Sequence, residues 1–348
     1  MDFPSYYSQN IAKLDALTKI AHGLVENLIR QNNIDTLAIT SRTKTLASCL
    51  SKIENKSYRS PISQITDLVG IRVIVYFEHQ IEIASSIIRD LFDIDEKNSF
   101  DQSKKLGSDR LGYRSNHFIC KLGRSRKALK EYKDIYDISF EVQIRTILQH
   151  AWAELAHDRS YKLSSGLPSE IQRDVNLYAG LLEISDKAFS RIVREIDLYA
   201  EKLDSIDIQN EEINSLSLIK FVKNSADKYD LHNVRVRDQG SFDEVVQEVK
   251  NFGISNIGEL SSLIDDGFLA MERAQSNDNE FGFIRNLLMW SDLPKYLTSS
   301  WNAHWTAIDV TSFNLLKKKF RNARSLFRGK DIDIEDYDLL DNDTEEDD

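Results

Sequence analysis

Two carboxylates and one arginine occupy positions from which strand pairing would bring them into one site. Asp67 opens the segment DLVGIRVIVYF, and Arg72 interrupts its run of apolar residues. An arginine is rarely buried without a partner, so Arg72 must reach a carboxylate, a phosphate or a base. Glu141 lies in the alternating segment DISFEVQIR, which is typical of a strand. If the two strands pair, Asp67 and Glu141 would form a site for Mg²⁺, which favours carboxylate oxygens and leaves coordination positions for phosphates.

A group of cations lies upstream of both acids. The segment SRTKTLASCLSKIENK (41–56) has a narrow apolar stripe that predicts a helix, and it carries Arg42, Lys44, Lys52 and Lys56. Lys52 and Lys56 are four residues apart, so both would lie on one side of the helix and could grip one phosphate group. A solvated basic helix face is the alternative interpretation, and the segment taken by itself favours it.

An aromatic residue beside a basic one precedes the next predicted strand. Tyr113 and Arg114 lie in the segment GYRSNH (112–117). This combination suits stacking on a nucleotide base, although most tyrosines in such segments are packing residues.

A histidine-rich helix offers a second candidate site. His150, Glu154 and His157 follow an i, i+4, i+7 spacing. They form either a metal-binding set or a polar helix face, and the departure from HExxH favours the polar face. The sequence contains no GxxxxGK[ST], GxGxxG, CxxC or GxSxG motif, so the usual templates for phosphate loops, dinucleotide binding and serine hydrolases are absent.

Hydrophobic patterning predicts the elements that must position these residues. We expect a compact α/β unit that ends near residue 205, followed by a mostly helical region. The predicted elements are a helix at 8–33, the helix 41–56, a buried strand at 68–77, a covering helix at 79–92, a long loop at 93–116, strands at 117–122 and 137–145, a helix at 146–162 and one or two helices within 168–203.

Alternation along the two later strands sorts their side chains onto opposite faces. Glu141, Gln143 and Arg145 point away from the apolar residues of their strand, and His117 occupies the polar side of 117–122. An antiparallel sheet with one solvated side gives the same pattern and is the commoner case. Arg72 interrupts the otherwise apolar strand at 68–77, which argues against a sheet whose polar face is only solvated.

Composition and charge set the broad class. Of the 348 residues, 41% are hydrophobic and 29% are charged, which is typical of a globular protein with two domains. The net charge of −11 equals the eleven acids of residues 331–348, a segment without Lys or Arg, so the rest of the chain is neutral. Two cysteines, Cys49 and Cys120, cannot form a disulfide framework. With no signal peptide and no apolar run of about 20 residues, we expect a cytoplasmic protein without a membrane helix.

Four ordered segments resemble the synthetase domain of the RelA/SpoT family. They are SRTKTLASCLSKIENK (41–56), DLVGIRVIVYF (67–77), LGYRSNHFICKL (111–122) and FEVQIRTILQHAWAELAHDRSYK (140–162). The resemblance implies an α/β (α+β) fold with a nucleotidyltransferase-like mixed sheet and flanking helices, and the patterning adds a mostly helical C-terminal domain. We therefore divide the chain into a synthetase domain (1–205), a helical regulatory or interaction domain (206–330) and an acidic disordered tail (331–348).

The same resemblance implies a role for each candidate residue. Arg42 and Arg72 would sandwich the adenine of ATP. Asp67 would bind Mg²⁺, with Glu141 as second ligand and candidate general base, and Tyr113 would stack on the acceptor purine. The remaining implied contacts are with the ATP phosphates for Lys44, Lys52 and Lys56, and with the acceptor for His117, Gln143 and Arg145.

The function implied by the resemblance is pyrophosphate transfer from ATP to the 3′-hydroxyl of GDP or GTP, giving (p)ppGpp and AMP. The family commonly has a basic residue where this chain has Asn55, which bears on how the phosphates are held. No hydrolase segment precedes the first helix and no long ribosome-reading segment follows, so we expect a short member that only synthesises.

Two other functions stay open from the sequence. Toxic relatives pyrophosphorylate the 3′ end of tRNA, which blocks translation and could serve phage defence. Residues 317–330 hold seven basic residues, and residues 104–133 hold ten against two acids, a pattern that suits RNA. A solvated basic helix end beside the acidic tail explains 317–330 and is favoured. A nucleotide-binding regulator with a dead site would have little reason to keep Asp67 and Glu141. A homo-oligomer is compatible with the sequence.

Overall fold

A computed structural model describes residues 2–101, 115–158, 168–236, 242–275, 278–303 and 305–335. The chain forms two compact units, residues 1–195 and 196–348. Each unit has its own hydrophobic core. The boundary between the units falls inside one long helix, Ser169–Ser205, so one continuous helix contributes residues to both units.

Unit 1 combines a mixed sheet with flanking helices, as the sequence predicts. Its helices are α1 (Phe3–Gln31), α2 (Leu46–Lys56), α3 (Pro61–Gln64), α4 (Glu78–Leu91), α5 (Ile147–Asp158) and α6 (Ser169–Ser205), the last continuing into unit 2. Its strands are β1 (Thr36–Thr43), β2 (Val69–Val75), β3 (Asp93–Ile94), β4 (Phe100–Asp101), β5 (Asn116–Lys121) and β6 (Phe140–Thr146). Arg124–Arg126 and Lys130–Tyr132 form short 3₁₀ turns.

The sheet has the strand order β1-β2-β6-β5-β3, and β4 pairs with β5 as well. Strands β2 and β6 are parallel to each other, whereas the other neighbours are antiparallel. Because β2 and β6 are central, their residues are largely covered, which accounts for the near-continuous apolar run of β2.

The predicted helix 41–56 is wrong in its first part. Thr36–Thr43 form strand β1, and α2 begins only at Leu46, after the capping residue Thr45. The segment TLAITSRT is rich in β-branched residues, and it pairs with β2 along its length. Arg42 therefore lies on a strand and not on a helix, because pairing with β2 overrides the helical pattern of the following residues.

The predicted loop 93–116 is also partly wrong. It contains β3 and β4, which pair with β5 but are two residues long each, too short for any periodicity to reveal. The rest of this loop, residues 102–114, lies outside the described residues.

Helices α1 and α4 cover the apolar face of the sheet, and a covering position was predicted for α4. Leu14, Leu17 and Ala21 of α1 are fully buried and belong to the core of unit 1, and α1 packs on β1 and β2. Cys49 and Cys120 are buried free thiols in the same core. The helices predicted at 8–33 and 79–92 are thus confirmed.

Unit 2 is mostly helical, as predicted for the C-terminal half. Its helices are α7 (Ser215–Tyr229), α8 (Asp243–Asn251), α9 (Ile257–Ser261), α10 (Asp266–Arg273), α11 (Glu280–Ser291), α12 (Leu293–Lys295), α13 (Val310–Lys319) and α14 (Ala323–Arg328), with a 3₁₀ turn at Ile208–Asn210 and a π turn at Tyr296–Ser300. Two parallel strand pairs complete it, β7 (Val234–Arg235) with β8 (Asp278–Asn279) and β9 (Ala307–Asp309) with β10 (Asp333–Glu335). In the parts of the chain that the structure describes, every helix is too short or too polar to cross a bilayer.

An ion pair with a buried carboxylate joins two helices of unit 2. Glu248 is fully buried, and the guanidinium of Arg285 donates to both of its carboxylate oxygens at 3.0 Å. Tyr296 donates its hydroxyl to Glu248 at 2.7 Å, and Trp305 Nε1 donates to that hydroxyl at 3.1 Å. Because each charged group has partners, the network fixes how α8 and α11 pack without leaving a bare buried charge.

The beginning of the predicted disordered tail is ordered. Residues Asp333–Glu335 form β10, which pairs with β9, and Ile332 is buried. Apolar residues lie between the acids of this segment, and the buried Ile332 attaches it to unit 2. The high count of acids therefore did not predict the conformation of its first residues. Residues 336–348 lie outside the described residues.

Candidate functional site

The register of the sheet brings the predicted polar residues onto one face. Arg42 pairs with Gly70, and Gly70 pairs with Glu141. One row further, Arg72 pairs with Gln143. Cross-strand partners point to the same face of a sheet, and so do residues two apart, so these side chains share one side.

A cavity of about 240 Å³ opens on this face. Gly70 lies between Arg42 and Glu141, and a Cβ at this position would have no atom within 4 Å, so the missing side chain creates part of the space. The cavity is lined by Thr40, Ser41, Arg42, Asp67, Gly70, Ile71, Arg72, Glu141 and Gln143. A larger cavity of about 740 Å³ lies between α4 and the β4–β5 region, but none of the predicted site residues lines it, so the smaller cavity is the candidate site.

Two lysines converge on one oxygen of Asp67. Lys44 Nζ and Lys52 Nζ donate to Asp67 Oδ2 at 2.6 Å and 2.7 Å. The backbone of Lys44 is held from two sides, since its N–H donates to the Leu68 carbonyl and its own carbonyl accepts from the Tyr7 hydroxyl. Lys44 directly follows β1 and Lys52 comes from α2, so the short connection between these two elements places both ammonium groups at one carboxylate.

Asp67 is held in its ionised form. Burial acts to raise the pKa of its carboxyl group, but the hydrogen bonds and charges of Lys44 and Lys52 outweigh burial, and the pKa lies below its ordinary value. The second oxygen, Oδ1, is buried and has no hydrogen-bond partner among the described residues. A charged carboxylate with one unsatisfied oxygen is prepared to accept a cation.

Glu141 is held by a chain of hydrogen bonds that runs across two strands. His117 Nδ1 lies 2.7 Å from Glu141 Oε1, and Gln143 Nε2 donates to Oε2 at 2.7 Å. On its other side, His117 Nε2 lies 2.6 Å from the hydroxyl of Ser115. Phe100 stacks on the imidazole at 4.6 Å between ring centres, which fixes the plane of the ring. Since a carboxylate only accepts, His117 donates from Nδ1 to Glu141.

These contacts make Glu141 a weak base. Burial raises the pKa of its carboxyl group, but the hydrogen bond and charge of His117 and the hydrogen bond of Gln143 lower it further than burial raises it. The pKa therefore lies below its ordinary value, and Glu141 is ionised near neutral pH. Such a carboxylate holds a cation or orients a hydroxyl better than it removes a proton.

Arg72 reaches a carboxylate, as its position in an apolar strand required. Its Nη1 donates to Glu154 Oε1 at 2.7 Å, which joins β2 to α5. His150 Nδ1 lies 3.7 Å from the same oxygen, and burial followed by the charge of Arg72 lowers the pKa of His150. Of the two interpretations of the histidine-rich helix, this contact supports a polar face that holds Arg72. The side chain of His157 lies outside the described residues.

Two predicted site residues in the described part of the chain, Lys56 and Arg145, are not brought to the cavity. Lys56 is exposed in the last turn of α2, one turn beyond Lys52. Arg145 is buried near the end of β6, where it pairs with Ile74, and does not line the cavity. Tyr113 lies outside the described residues.

Sequence reasoning missed three residues that shape the site. Ser115 lies two residues before His117, the spacing that places both on one face of a strand. Glu154 is four residues after His150 and was considered only as part of a metal-binding set or a polar helix face, not as the partner of Arg72. Gly70 lies between Arg42 and Glu141 in one row of the sheet, and the sequence did not single it out, because a glycine in a strand indicates only a bulge or the close approach of another group.

The residues of the cavity fit a bound Mg²⁺. Asp67 and Glu141 are two ionised carboxylates on one cavity, and Asp67 Oδ1 is unsatisfied. Among the described residues no group of three or more acidic, histidine or cysteine side chains could hold a metal. A site with only two carboxylates is what Mg²⁺ uses when substrate phosphates and water complete its coordination.

Comparison with known proteins points to one family for unit 1. Residues 41–166 match the family model described as a region found in RelA / SpoT proteins. GTP pyrophosphokinase YjbM of Bacillus subtilis is 25% identical over 162 residues, which are 45% of this chain and 72% of that protein. GTP pyrophosphokinase YwaC of the same organism is 27% identical over 163 residues, 45% of this chain and 73% of that protein. Among solved structures, small alarmone synthetase 1 from Bacillus subtilis is similar with a TM-score of 0.45 and 21% identity, covering 56% of this chain and 98% of that chain.

Proposed function

We propose that this protein transfers the pyrophosphate of ATP to the 3′-hydroxyl of GDP or GTP and releases AMP, because residues 41–166 match the RelA / SpoT family model. The observation that carries the proposal is the pair of ionised carboxylates, Asp67 and Glu141, on one cavity. Arg42 and Arg72 line the same cavity, and Lys44 and Lys52 reach it through Asp67. Phosphoryl transfer needs this combination of cations for the phosphates and carboxylates for a divalent metal.

The two arginines suit a flat base. Arg42 pairs with Gly70, so Arg72 is its diagonal neighbour on the adjacent strand. Diagonal neighbours on antiparallel strands are about 7–8 Å apart, which is about twice the contact distance of two stacked planar groups. The adenine of ATP would therefore fit between the two guanidinium groups. Arg72 would have to turn from Glu154, its partner in the structure.

The two lysines suit the phosphates. In the structure both ammonium groups form ion pairs with Asp67, which holds them in place. A Mg²⁺ ion held by Asp67 and Glu141 would neutralise charge on the transferred pyrophosphate. Lys44 and Lys52 would then release Asp67 and donate to phosphate oxygens of ATP. Hydrogen bonds between an ammonium group and a phosphate are stronger than those between neutral groups.

The acceptor would lie on the side of His117 and Gln143. Glu141 accepts hydrogen bonds from both and would orient the 3′-hydroxyl by accepting from it as well. The bond between that oxygen and the β-phosphorus of ATP forms while the bond from this phosphorus to the α,β-bridging oxygen breaks, and AMP leaves with that oxygen. The hydroxyl proton passes to solvent. Since the transition state is loose, positioning contributes more than proton removal, which agrees with the low pKa of Glu141.

The structure offers less for tRNA as acceptor. In the basic segment 317–330, Lys319, Arg324 and Lys330 lie over the rings of aromatic residues in the same unit, at 4.3, 5.6 and 5.1 Å. Lys319 also donates to the carbonyl of Trp290. These cations help to pack unit 2, which is the structural interpretation of the segment, and the basic residues at 102–114 lie outside the described residues.

An acceptor assay tests the proposal. The protein, Mg²⁺ and ATP labelled at the γ-phosphate are incubated in parallel with GDP, GTP, ATP and deacylated tRNA. We expect label in guanosine tetra- or pentaphosphate and stoichiometric AMP, with both products lost in Asp67→Asn. Label on tRNA alone, or AMP release without any acceptor, would overturn the choice of GDP or GTP.

A further inference from the structure

Unit 2 carries an exposed basic surface on its last two helices. Positively charged side chains lie in the final turn of α13, in the connection that follows it and in α14, and all of them are exposed. We name them the basic face, and they are Lys317, Lys318, Arg321, Arg324 and Arg328.

Packing of α13 on α14 brings cations from both helices to one side. The guanidinium of Arg324 in α14 lies 5.6 Å from the centre of the Phe313 ring in α13. Lys317 is four residues after Phe313 and therefore lies on the same side of α13. Arg328 is four residues after Arg324 and lies on the same side of α14. The basic face is thus continuous across the two helices.

The described residues of unit 2 do not neutralise this face. None of its cations forms an ion pair there, whereas Lys220 in the same unit pairs with Asp204 at 2.6 Å. The dipole of α13 accounts for the lysines in its last turn, because cations at the C-terminus of a helix are stabilising. It does not account for Arg321 and Arg324, which lie at the N-terminal end of α14, where the helix dipole favours acids.

An acidic segment begins beside the basic face. Residues 336–348 lie outside the described residues and contain eight acids and no Lys or Arg. Strand β10, which precedes them, is fixed to unit 2, since Asp333 donates its N–H to the Thr306 carbonyl at 2.7 Å. Glu335 pairs with Asp309 in parallel strands, and Asp309 is the residue before α13. The acidic segment therefore leaves β10 at the first turn of α13.

The segment is long enough to reach every cation of the face. Lys317 is seven residues after Val310, the first residue of α13, which is about 10 Å along the helix at 1.5 Å per residue. Thirteen residues in extended conformation span about 43 Å at about 3.3 Å per residue. Because the segment is tethered, its local concentration at the face is on the order of millimolar, so a contact of low intrinsic affinity is enough to fill the face.

We propose that residues 336–348 bind the basic face of the same chain and shield it from other polyanions. The eight carboxylates of the segment exceed the five positive charges of the face. Carboxylates accept paired hydrogen bonds from a guanidinium group as phosphates do. The segment therefore takes the positions that the phosphates of a nucleic acid would occupy. This contact does not depend on the reaction proposed above.

Zero-length cross-linking tests the contact directly. A water-soluble carbodiimide joins a carboxylate to a lysine amine that touches it. At about 10 mM NaCl, where the Debye length is about 30 Å, we expect links from Lys317 and Lys318 to acids of 336–348, and we expect their loss at about 1 M NaCl, where it is about 3 Å. Mass spectrometry of labelled protein mixed with unlabelled protein should place each link within one chain. Lys250, an exposed lysine in α8, is the internal control. Links to Lys250 as frequent as those to Lys317, or no links from 336–348, would overturn the proposal.

Binding of a fluorescent single-stranded RNA oligonucleotide tests the shielding. Replacement of the eight acids by their amides (Asp→Asn and Glu→Gln) keeps the length of the segment and should strengthen RNA binding by at least about 10-fold at low salt. The further substitutions Lys317→Gln, Arg321→Gln and Arg328→Gln should cancel this gain, whereas Lys250→Gln in their place should not. These side chains are exposed, so the circular dichroism spectrum should stay the same. RNA affinity that the amides leave unchanged contradicts the shielding. A gain that persists without the cations of the face would come from reduced overall repulsion, and this result also overturns the proposal.

Discussion

Asp67→Asn separates the two roles that the carboxylate has in this site. Asparagine keeps the shape of the side chain but removes the charge that holds Lys44 and Lys52 at 2.6 Å and 2.7 Å. All three side chains are partly buried, with 14%, 31% and 16% exposure for Lys44, Lys52 and Asp67. The charge is therefore only partly screened by water, and its removal leaves two ammonium groups that point at one neutral amide.

The structure predicts opposite effects on binding and turnover. Without Mg²⁺, ATP must separate each lysine from Asp67 before binding it, and a hydrogen bond to a charged group is worth about 1.5–3 kcal/mol. Removing this competition should strengthen Mg²⁺-free ATP binding by about 10- to 100-fold. Transfer of pyrophosphate should fall by at least about 100-fold, because the oxygen that would hold Mg²⁺ loses its charge.

Calorimetric titration of ATP, with EDTA and with Mg²⁺, measures both halves of this prediction. The wild type should bind ATP more tightly with Mg²⁺, and Asp67→Asn should lose that difference. Asp137→Asn is the matched control, since it removes an exposed Lys–Asp pair of the same length, Lys121 to Asp137 at 2.6 Å. Weaker Mg²⁺-free binding by a folded Asp67→Asn protein, or wild-type turnover, would refute the reasoning.

Three other substitutions test the rest of the site and its support. Lys52→Ala should raise the KM for ATP about 10- to 100-fold, because it removes one charged hydrogen bond. Lys56 is exposed one helical turn further along α2, and Lys56→Ala should change the KM less than about twofold. Equal effects of the two substitutions would mean that Lys56 belongs to the site. A Cβ at Gly70 would have no atom within 4 Å, so Gly70→Val should fill part of the cavity and abolish ATP binding measured by calorimetry. The melting temperature should stay the same or rise, since a glycine within a strand is destabilising by roughly 0.5–1 kcal/mol. Undiminished ATP binding would mean that the ligand lies elsewhere. Burial raises the pKa of Asp186 to about 6. Between pH values of about 4 and 6 the folded state therefore binds a proton that the unfolded state lacks. The free energy of unfolding should fall as pH rises through this window, by at most about 1.4 kcal/mol per pH unit. Asp186→Asn should remove that slope in denaturant titrations at pH 5 and pH 7.5, and an identical slope in both proteins would contradict the assignment.

Local patterns in the sequence were enough for the central part of the fold. The stripe of α1, the covering helix α4 and the alternating strands β5 and β6 are confirmed, because each carries its periodicity within its own residues. The polar face of the sheet followed from the same alternation. Strand β1 was missed because its last three residues, 41–43, were predicted as the beginning of the next helix and residues 36–40 were not assigned to an element; pairing with β2 decides its conformation.

The individual contacts of the site could not be read from the chain. Lys44, Lys52 and Asp67 were each assigned to a ligand, and the structure has them bound to one another. Glu154 is 82 residues from Arg72 and no local spacing connects the two. These contacts depend on strand order and on how α2 packs after β1, which are properties of the whole unit.

The sequence by itself indicated which residue types could do chemistry, and alternation placed those of β5 and β6 on one face of each strand, because alternation and residue type are local. Only the tertiary structure decided which charges neutralise each other, since that depends on distances between segments far apart in the chain. The same division holds for α6. Its amphipathic pattern is local, but Asp186 and Ser190 bind Thr146 and His79, and these contacts decide that its apolar side is the one left outside.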